Sequence, residues 1–226
     1  MKRREFSTAL VASATSAAAV QAVYAQAANT QSANTQAARK FEEGTDYLGL
    51  DKRLNTDAGA GKIEVVEFFW YSCPHCNAFE PQLAAWSKQL PKDVVVRRVP
   101  VAFRDNFVPQ QRLFYVLEAM GKLDQLHSKV FTAIHAEKQP LENQASIGAW
   151  LQKQGVDKAK FDELYNSFSV STKARKATQL MNDFKVDGVP ALGIAGRFYT
   201  SGALAQSMER ALVVTDYLIA QVRQGR

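Results

Sequence analysis

Apolar residues follow two rhythms along this chain, and the change from one to the other marks its elements. From Lys62 to Trp70 ("KIEVVEFFW") they are nearly continuous and rich in Val, Ile and Phe, as in a central strand buried on both faces. Directly afterwards Cys76, Phe79, Leu83, Trp86 and Leu90 recur at spacings of three and four, which predicts an amphipathic helix that opens at the cysteines and ends before Pro91. Pro81 falls inside that helix and, having no backbone donor, is expected to kink it. The strand rhythm returns in "DVVVRRVPV", so the order is strand, helix, strand.

A long helical stretch follows, from about 107 to 177. Leu113, Val116 and Met120 precede Gly121, and Leu126, Val130 and Ile134 come next. Ser146 is expected to cap "IGAWLQKQG", and Asp157 to cap "KAKFDELYNSF", with Phe161, Leu164 and Phe168 on one side. Packing accounts for these residues, and no chemistry is assigned to them. After a helix ending near Phe184, "VDGVPALGIAGRFYTSG" reads as a turn at Asp187-Gly188, a strand entered through Val189-Pro190, and a hairpin at Ala195-Gly196 leading into "RFYT". A last helix, with Met208, Leu212, Thr215, Ile219 and Val222 on one face, is expected to cover the sheet.

The N-terminus changes the compartment. Lys2, Arg3 and Arg4 precede a weakly apolar, alanine-rich run that ends in Ala25-Gln26-Ala27, the pattern of an export signal over 1–27. Ser13, Thr15 and Ser16 break the run below the roughly 20 residues that a membrane span needs. Arg3-Arg4 fits both a twin-arginine and an ordinary secretory signal. Residues 28–46 are polar and of low complexity, a flexible segment before a folded part that begins near Tyr47. The formal charge of +6 falls to +4 without the signal's three basic and one acidic residues, and no basic stripe interleaved with aromatics is present, which argues against nucleic acid.

Candidate chemistry then rests on the chain's two cysteines, Cys73 and Cys76, in "EFFWYSCPHCNAFEP". Zinc needs four ligands, and beyond the cysteines the sequence has only His75, His127 and His135, so no metal is expected. Haem attachment needs a histidine directly after the second cysteine, where Asn77 stands. A structural crosslink gains with loop length, and this loop is about as short as loops get. A redox pair remains. Cys73 is placed at a helix N-terminus, whose dipole is worth about 0.3–1 kcal/mol, and up to ~2 when partly buried. One pKa unit is about 1.36 kcal/mol, so the dipole moves a thiol by about one unit. Direct hydrogen bonds and positive charge must add to it; His75 is placed to supply both, and Pro74 fits an early helical position that needs no donor.

A site that favours its thiolate makes its disulfide a strong oxidant and the thiolate a good leaving group. Cys76, one turn deeper, is then the buried partner. Glu67 interrupts the apolar strand; buried there, its pKa rises and it handles the proton of Cys76, whereas at a sheet end it would be an ordinary solvated glutamate. Val189-Pro190 offers a second element. A cis proline there could sit against the cysteines and leave the Val189 backbone free to pair with an extended substrate; the residues themselves leave the isomer open.

"VVEFFWYSCPHCNAFEP" and "DGVPALGIAGRFYTSG", separated by a helical stretch, resemble the DsbA family of bacterial periplasmic thiol:disulfide oxidoreductases. The resemblance implies an α/β, thioredoxin-like fold with an inserted helical domain: 47–106 and 178–226 in the thioredoxin-like part, 107–177 in the insertion. It implies Cys73 as the exposed attacking and leaving sulfur, Cys76 as its partner, Glu67 as the buried acid and Val189 before a cis Pro190. It also implies an enzyme without cofactor, acting in the periplasm on unfolded or folding exported proteins with free cysteines, and reoxidised by a DsbB-like membrane quinone reductase. Two other roles fit a thioredoxin-like groove. A peptide-binding chaperone with an inert disulfide is one; an isomerase is disfavoured, because no additional region for dimerisation is visible.

Overall fold

The computed structural model of the protein describes residues 41–225. The signal expected over 1–27, and the flexible segment as far as residue 40, lie outside the described residues. Residues 41–46, expected to be flexible, are built into the fold instead. The Phe41 ring lies 5.3 Å from that of Tyr217, Asp46 pairs with Arg210 at 2.5 Å, and the Thr200 hydroxyl donates to the Asp46 carbonyl at 2.8 Å.

The sheet has five strands: β1 (Leu48–Gly49), β2 (Ile63–Phe69), β3 (Val94–Pro100), β4 (Ala191–Ile194) and β5 (Phe198–Ser201). Their order is β1-β5-β4-β2-β3, with β3 parallel to β2 and the other pairs antiparallel. β2 is central, and all seven of its residues are buried, as its continuous apolar run requires. Helix α1 (Pro74–Ser87) leaves β2 through the cysteine turn and leads to β3. Pro81 is exposed inside α1, and the helix continues through it to Ser87.

Between β3 and β4 lie a short 3-10 turn (Asp105–Phe107) and five helices: α2 (Val108–Ala119), α3 (Leu123–His135), α4 (Gln144–Lys153), α5 (Lys158–Tyr165) and α6 (Phe168–Asp183). α6 runs unbroken past residue 177, where the sequence placed the end of the insertion. Asp157 caps α5 as expected, its carboxylate accepting from the Lys160 amide at 2.9 Å. The cap of α4 is Asn143 rather than Ser146. Ser146 sits three residues in and completes a reciprocal capping box, which from sequence resembles a cap because its hydroxyl also bonds the helix end. Phe168, expected beside Phe161, is 81% exposed: α5 ends at Tyr165 with Asn166 as its C-cap, and Phe168 opens α6 behind its N-cap Ser167, so it is on a different element.

The remaining chain closes the sheet. β4 and β5 are joined by Ala195 and Gly196, both with positive φ (53° and 64°), and the Arg197 amide donates to the Ile194 carbonyl at 2.9 Å, the two-residue hairpin the sequence predicted. α7 (Gly202–Ala205) and α8 (Met208–Arg223) follow. Two apolar clusters lie on opposite faces of the sheet. Ile63 and Val65 of β2, Leu192 and Ile194 of β4, Phe79 and Leu83 of α1, and Leu212 and Leu218 of α8 form one. Val66 and Phe68 of β2 face the insertion, with Leu113, Phe114 and Phe131. Side chains alternate along a strand, so Glu67 shares the face of Ile63 and Val65, against α1. Among the described residues no helix is long and apolar enough to cross a membrane.

Candidate active site

The cysteine turn follows from local chemistry. Cys73 is the N-cap of α1, with extended dihedrals (φ −79°, ψ 118°), and its sulfur accepts from the Cys76 amide at 3.4 Å. Pro74 takes the first helical position, where its missing N–H costs nothing. Both cysteines are free thiols. Cys76 is fully buried; Cys73, expected to be exposed, retains only 7% exposure because it sits recessed in the turn under Val189. His75 is exposed at the rim.

The two thiols are driven apart. Hydrogen bonding from Cys76 is the largest influence on Cys73; burial opposes it, and the backbone amides of Cys76 and His75 and the charge of His75 assist, bringing Cys73 down to about 6. His75 therefore helps, but Cys76 does more, a division the sequence did not predict. Burial first, then the neighbouring Cys73, pushes Cys76 far above the ordinary thiol range.

Val189-Pro190 is cis, and the Val189 carbonyl lies 3.4 Å from the Cys73 sulfur, within reach of the protonated thiol's S–H. Beside them is a groove of about 430 Å³ lined by His75, Asp187, Val189, Pro190, Ser207 and Met208 among others. The fold thus brings Cys73, Pro74, His75, Cys76, Val189 and Pro190 together across 116 residues of sequence.

Glu67 lies beneath, 1% exposed, in register between Leu192 of β4 and Arg98 of β3. Arg98 Nε is 3.2 Å from Glu67 Oε2, at ion-pair distance but outside hydrogen-bond alignment. Burial wins over the Arg98 charge, the Glu80 charge adds to it, and the carboxyl is pushed up to about 8. At neutral pH Glu67 is mostly protonated.

Four partners were not foreseen. Arg98 Nη2 also holds Glu80 Oε1 at 2.7 Å; Glu80 Oε2 lies 3.4 Å from His127 Nε2; and His127 Nδ1 is 2.8 Å from the Tyr71 hydroxyl. Burial pushes Glu80 up, but His127 and Arg98 outweigh it and leave the carboxyl below its ordinary value. The insertion, to which no chemistry was assigned, therefore reaches the site. Two signals for this were present in the sequence: Glu80 lies four residues after Cys76, on the same helical face, and Arg98 interrupts an apolar strand as Glu67 does. Among the described residues no group of three or more His, Cys, Asp or Glu side chains could hold a metal ion.

A dithiol at a helix N-terminus, with an acidic sulfur beside a cis proline and its partner sealed over a buried carboxyl, belongs to the thiol–disulfide exchange proteins of the thioredoxin fold. Comparison narrows this, because residues 64–212 match the DSBA-like thioredoxin domain, and the chain belongs to that family. It is 46% identical over 179 residues to the thiol:disulfide interchange protein DsbA of Bordetella parapertussis, covering 79% of this chain and 85% of the relative. Identity to the DsbA of Burkholderia cepacia is 40% over 183 residues, 81% of this chain and 86% of the relative. The crystal structure of Pseudomonas aeruginosa DsbA superposes with a TM-score of 0.78 at 38% identity, over 82% of this chain and 96% of that one.

Proposed function

We infer that the protein is a thiol:disulfide oxidoreductase that donates a Cys73–Cys76 disulfide to exported proteins in the periplasm. The observation that carries this reading is the opposite displacement of two thiols three residues apart, Cys73 downward and Cys76 upward. A pair held this way favours the reduced state and gives its bond away.

The exchange balances as follows. A substrate thiolate attacks the Cys73 sulfur, because Cys76 is inaccessible, and the Cys73–Cys76 bond breaks with its electron pair on Cys76. A bare thiolate is costly at that depth, so Cys76 takes a proton, which Glu67 gives and later recovers from solvent, a reading supported by its raised pKa and its charge coupling to Cys76. A second substrate thiolate then attacks the substrate sulfur of the mixed disulfide, and Cys73 leaves as a thiolate. Two electrons enter the protein and the substrate gains one disulfide. Of the two protons lost by the substrate thiols, one ends on Cys76 and the other in solvent. The groove beside Val189 and Pro190 suits an extended, unfolded segment.

Reoxidation needs a two-electron acceptor, for which a DsbB-like membrane quinone reductase is the partner of fitting chemistry. In this reading the five-stranded sheet with α1, α7 and α8 carries the exchange, and the helices between β3 and β4 frame it. The test is direct: the oxidised protein should form disulfides in a reduced, unfolded substrate, and Cys73→Ser should abolish the activity. Suppression of aggregation that survives in a Cys73→Ser/Cys76→Ser chain, without any disulfide formation by the native protein, would replace the oxidase with a chaperone.

A further inference from the structure

The peptide group joining Tyr71 to Ser72, just before Cys73, is held at both ends by the helical insertion. Its carbonyl oxygen lies 2.8 Å from His135 Nε2, and its N–H donates to Gln110 Oε1 at 3.1 Å. Gln110 is itself fixed, its amide nitrogen donating to the Ser72 hydroxyl at 2.6 Å and to the Leu141 carbonyl at 3.0 Å. Tyr71 is 1% exposed and is gripped further along its length: Phe131 packs on its ring at 5.1 Å, and His127 Nδ1 meets its hydroxyl at 2.8 Å. His127, Phe131 and His135 are spaced by four on α3, so one helical face touches the hydroxyl, the ring and the carbonyl of a single residue.

The donors can be assigned. A carbonyl only accepts, so His135 carries a hydrogen on Nε2. Burial holds the Tyr71 hydroxyl well above its ordinary pKa, so it keeps its proton and donates to His127 Nδ1. Burial lowers His127 more than Glu80 raises it, and the neutral ring then carries its hydrogen on Nε2, 3.4 Å from Glu80 Oε2 on α1 but outside hydrogen-bond alignment. His127 thus touches the chain on both sides of the cysteines, at Tyr71 before them and at Glu80 after them.

We propose that Gln110, His127 and His135 are positioning residues of the oxidase: they orient the 71–72 peptide group and thereby set how closely the Cys73 sulfur meets the donors that stabilise its thiolate. The Cys76 amide is 3.4 Å from that sulfur, a length at which a small rotation of the turn weakens the contact. The insertion is then part of what makes the disulfide oxidising, in addition to shaping the face on which substrates land. This rests on the reading of Cys73 as the reactive sulfur.

The test compares His135→Phe, which keeps a ring beside Phe131 but loses the donor, with His135→Gln, whose amide restores one. The equilibrium of the protein's own cysteines against glutathione, and the melting temperatures of the oxidised and reduced forms, are measured for each. His135→Phe should shift that equilibrium at least fivefold towards the bridged form and lower the reduced form's melting temperature more than the oxidised form's; His135→Gln should recover most of both. Equal destabilisation of the two forms, with the equilibrium unmoved within twofold, would reduce these residues to packing and overturn the proposal. If His135→Phe does not fold, the same measurements on the paired Tyr71→Phe/His127→Phe chain, which replaces both members of a buried hydrogen bond by apolar rings, decide between the same two outcomes. Should the native protein form no disulfides in a reduced substrate, the oxidase reading falls, whereas the equilibrium shift is read on its own cysteines and is judged separately.

Discussion

Glu67 and Arg98 stand side by side on parallel strands with their charged atoms 3.2 Å apart, and yet the carboxyl stays protonated to about pH 8. Arg98 is shared with Glu80, and a strand buried on both faces gives Glu67 no solvent to replace what it lacks. In the unfolded chain the same carboxyl titrates near 4.5. Between these values the unfolded state has released a proton that the folded state still binds, so stability falls as pH rises, by on the order of 3–5 kcal/mol in all. Glu67→Gln should therefore melt with the native protein near pH 4 and above it at pH 9. Its substrate oxidation at neutral pH should slow by on the order of 10²-fold, the loss of a general acid. Coincident melting at pH 9 would contradict the buried, neutral carboxyl.

For Cys73 the sign is reversed. Its folded value, about 6, lies below the ordinary 9.0, so the reduced form gains stability that is complete above about pH 9 and lost as pH falls through about 6. Allowing for solvent screening, the gain is about 2–4 kcal/mol. The reduced protein should melt above the oxidised one at pH 7, and the gap should narrow towards pH 5. A gap that does not change with pH would place the thiolate elsewhere.

Burial separates the two sulfurs chemically as well. Iodoacetamide at pH 7 should modify Cys73 alone in the reduced protein, with a rate that halves near pH 6, and should reach Cys76 only after unfolding; peptide mass mapping reads both. Simultaneous modification of Cys76 would mean that the turn opens in solution.

Gly196 tests the scaffold independently of the chemistry. It sits at φ 64°, and a Cβ there would collide with the Leu54 carbonyl oxygen. Gly196→Ala should cost on the order of 1–3 kcal/mol or more in urea unfolding, equally in both redox forms, since the hairpin lies at the end of β4 away from Pro190. Unequal losses would tie this hairpin to the sulfur site.

What the sequence made legible was local. The apolar run of β2, the spacing of Cys76, Phe79 and Leu83, Asp157 as a cap and Ala195-Gly196 as a turn depend on neighbours a few residues away. Glu67 was legible because a charge inside an apolar strand is itself a contradiction. His127 was not, since on an amphipathic helix it reads as packing, and its partners Tyr71 and Glu80 lie 56 and 47 residues earlier in the chain. The isomer of Val189-Pro190 and the recession of Cys73 depend on that same long-range meeting of the two segments.

The insertion also governs when the site comes into being. β2 can pair with β3 as soon as both have left the ribosome, but its other neighbour, β4, follows only after five more helices. Pairings so distant in sequence form late in folding. A nascent chain that already contains both sulfurs has no Val189 shelf beside them, so the recessed site is complete only once nearly the whole polypeptide has been made.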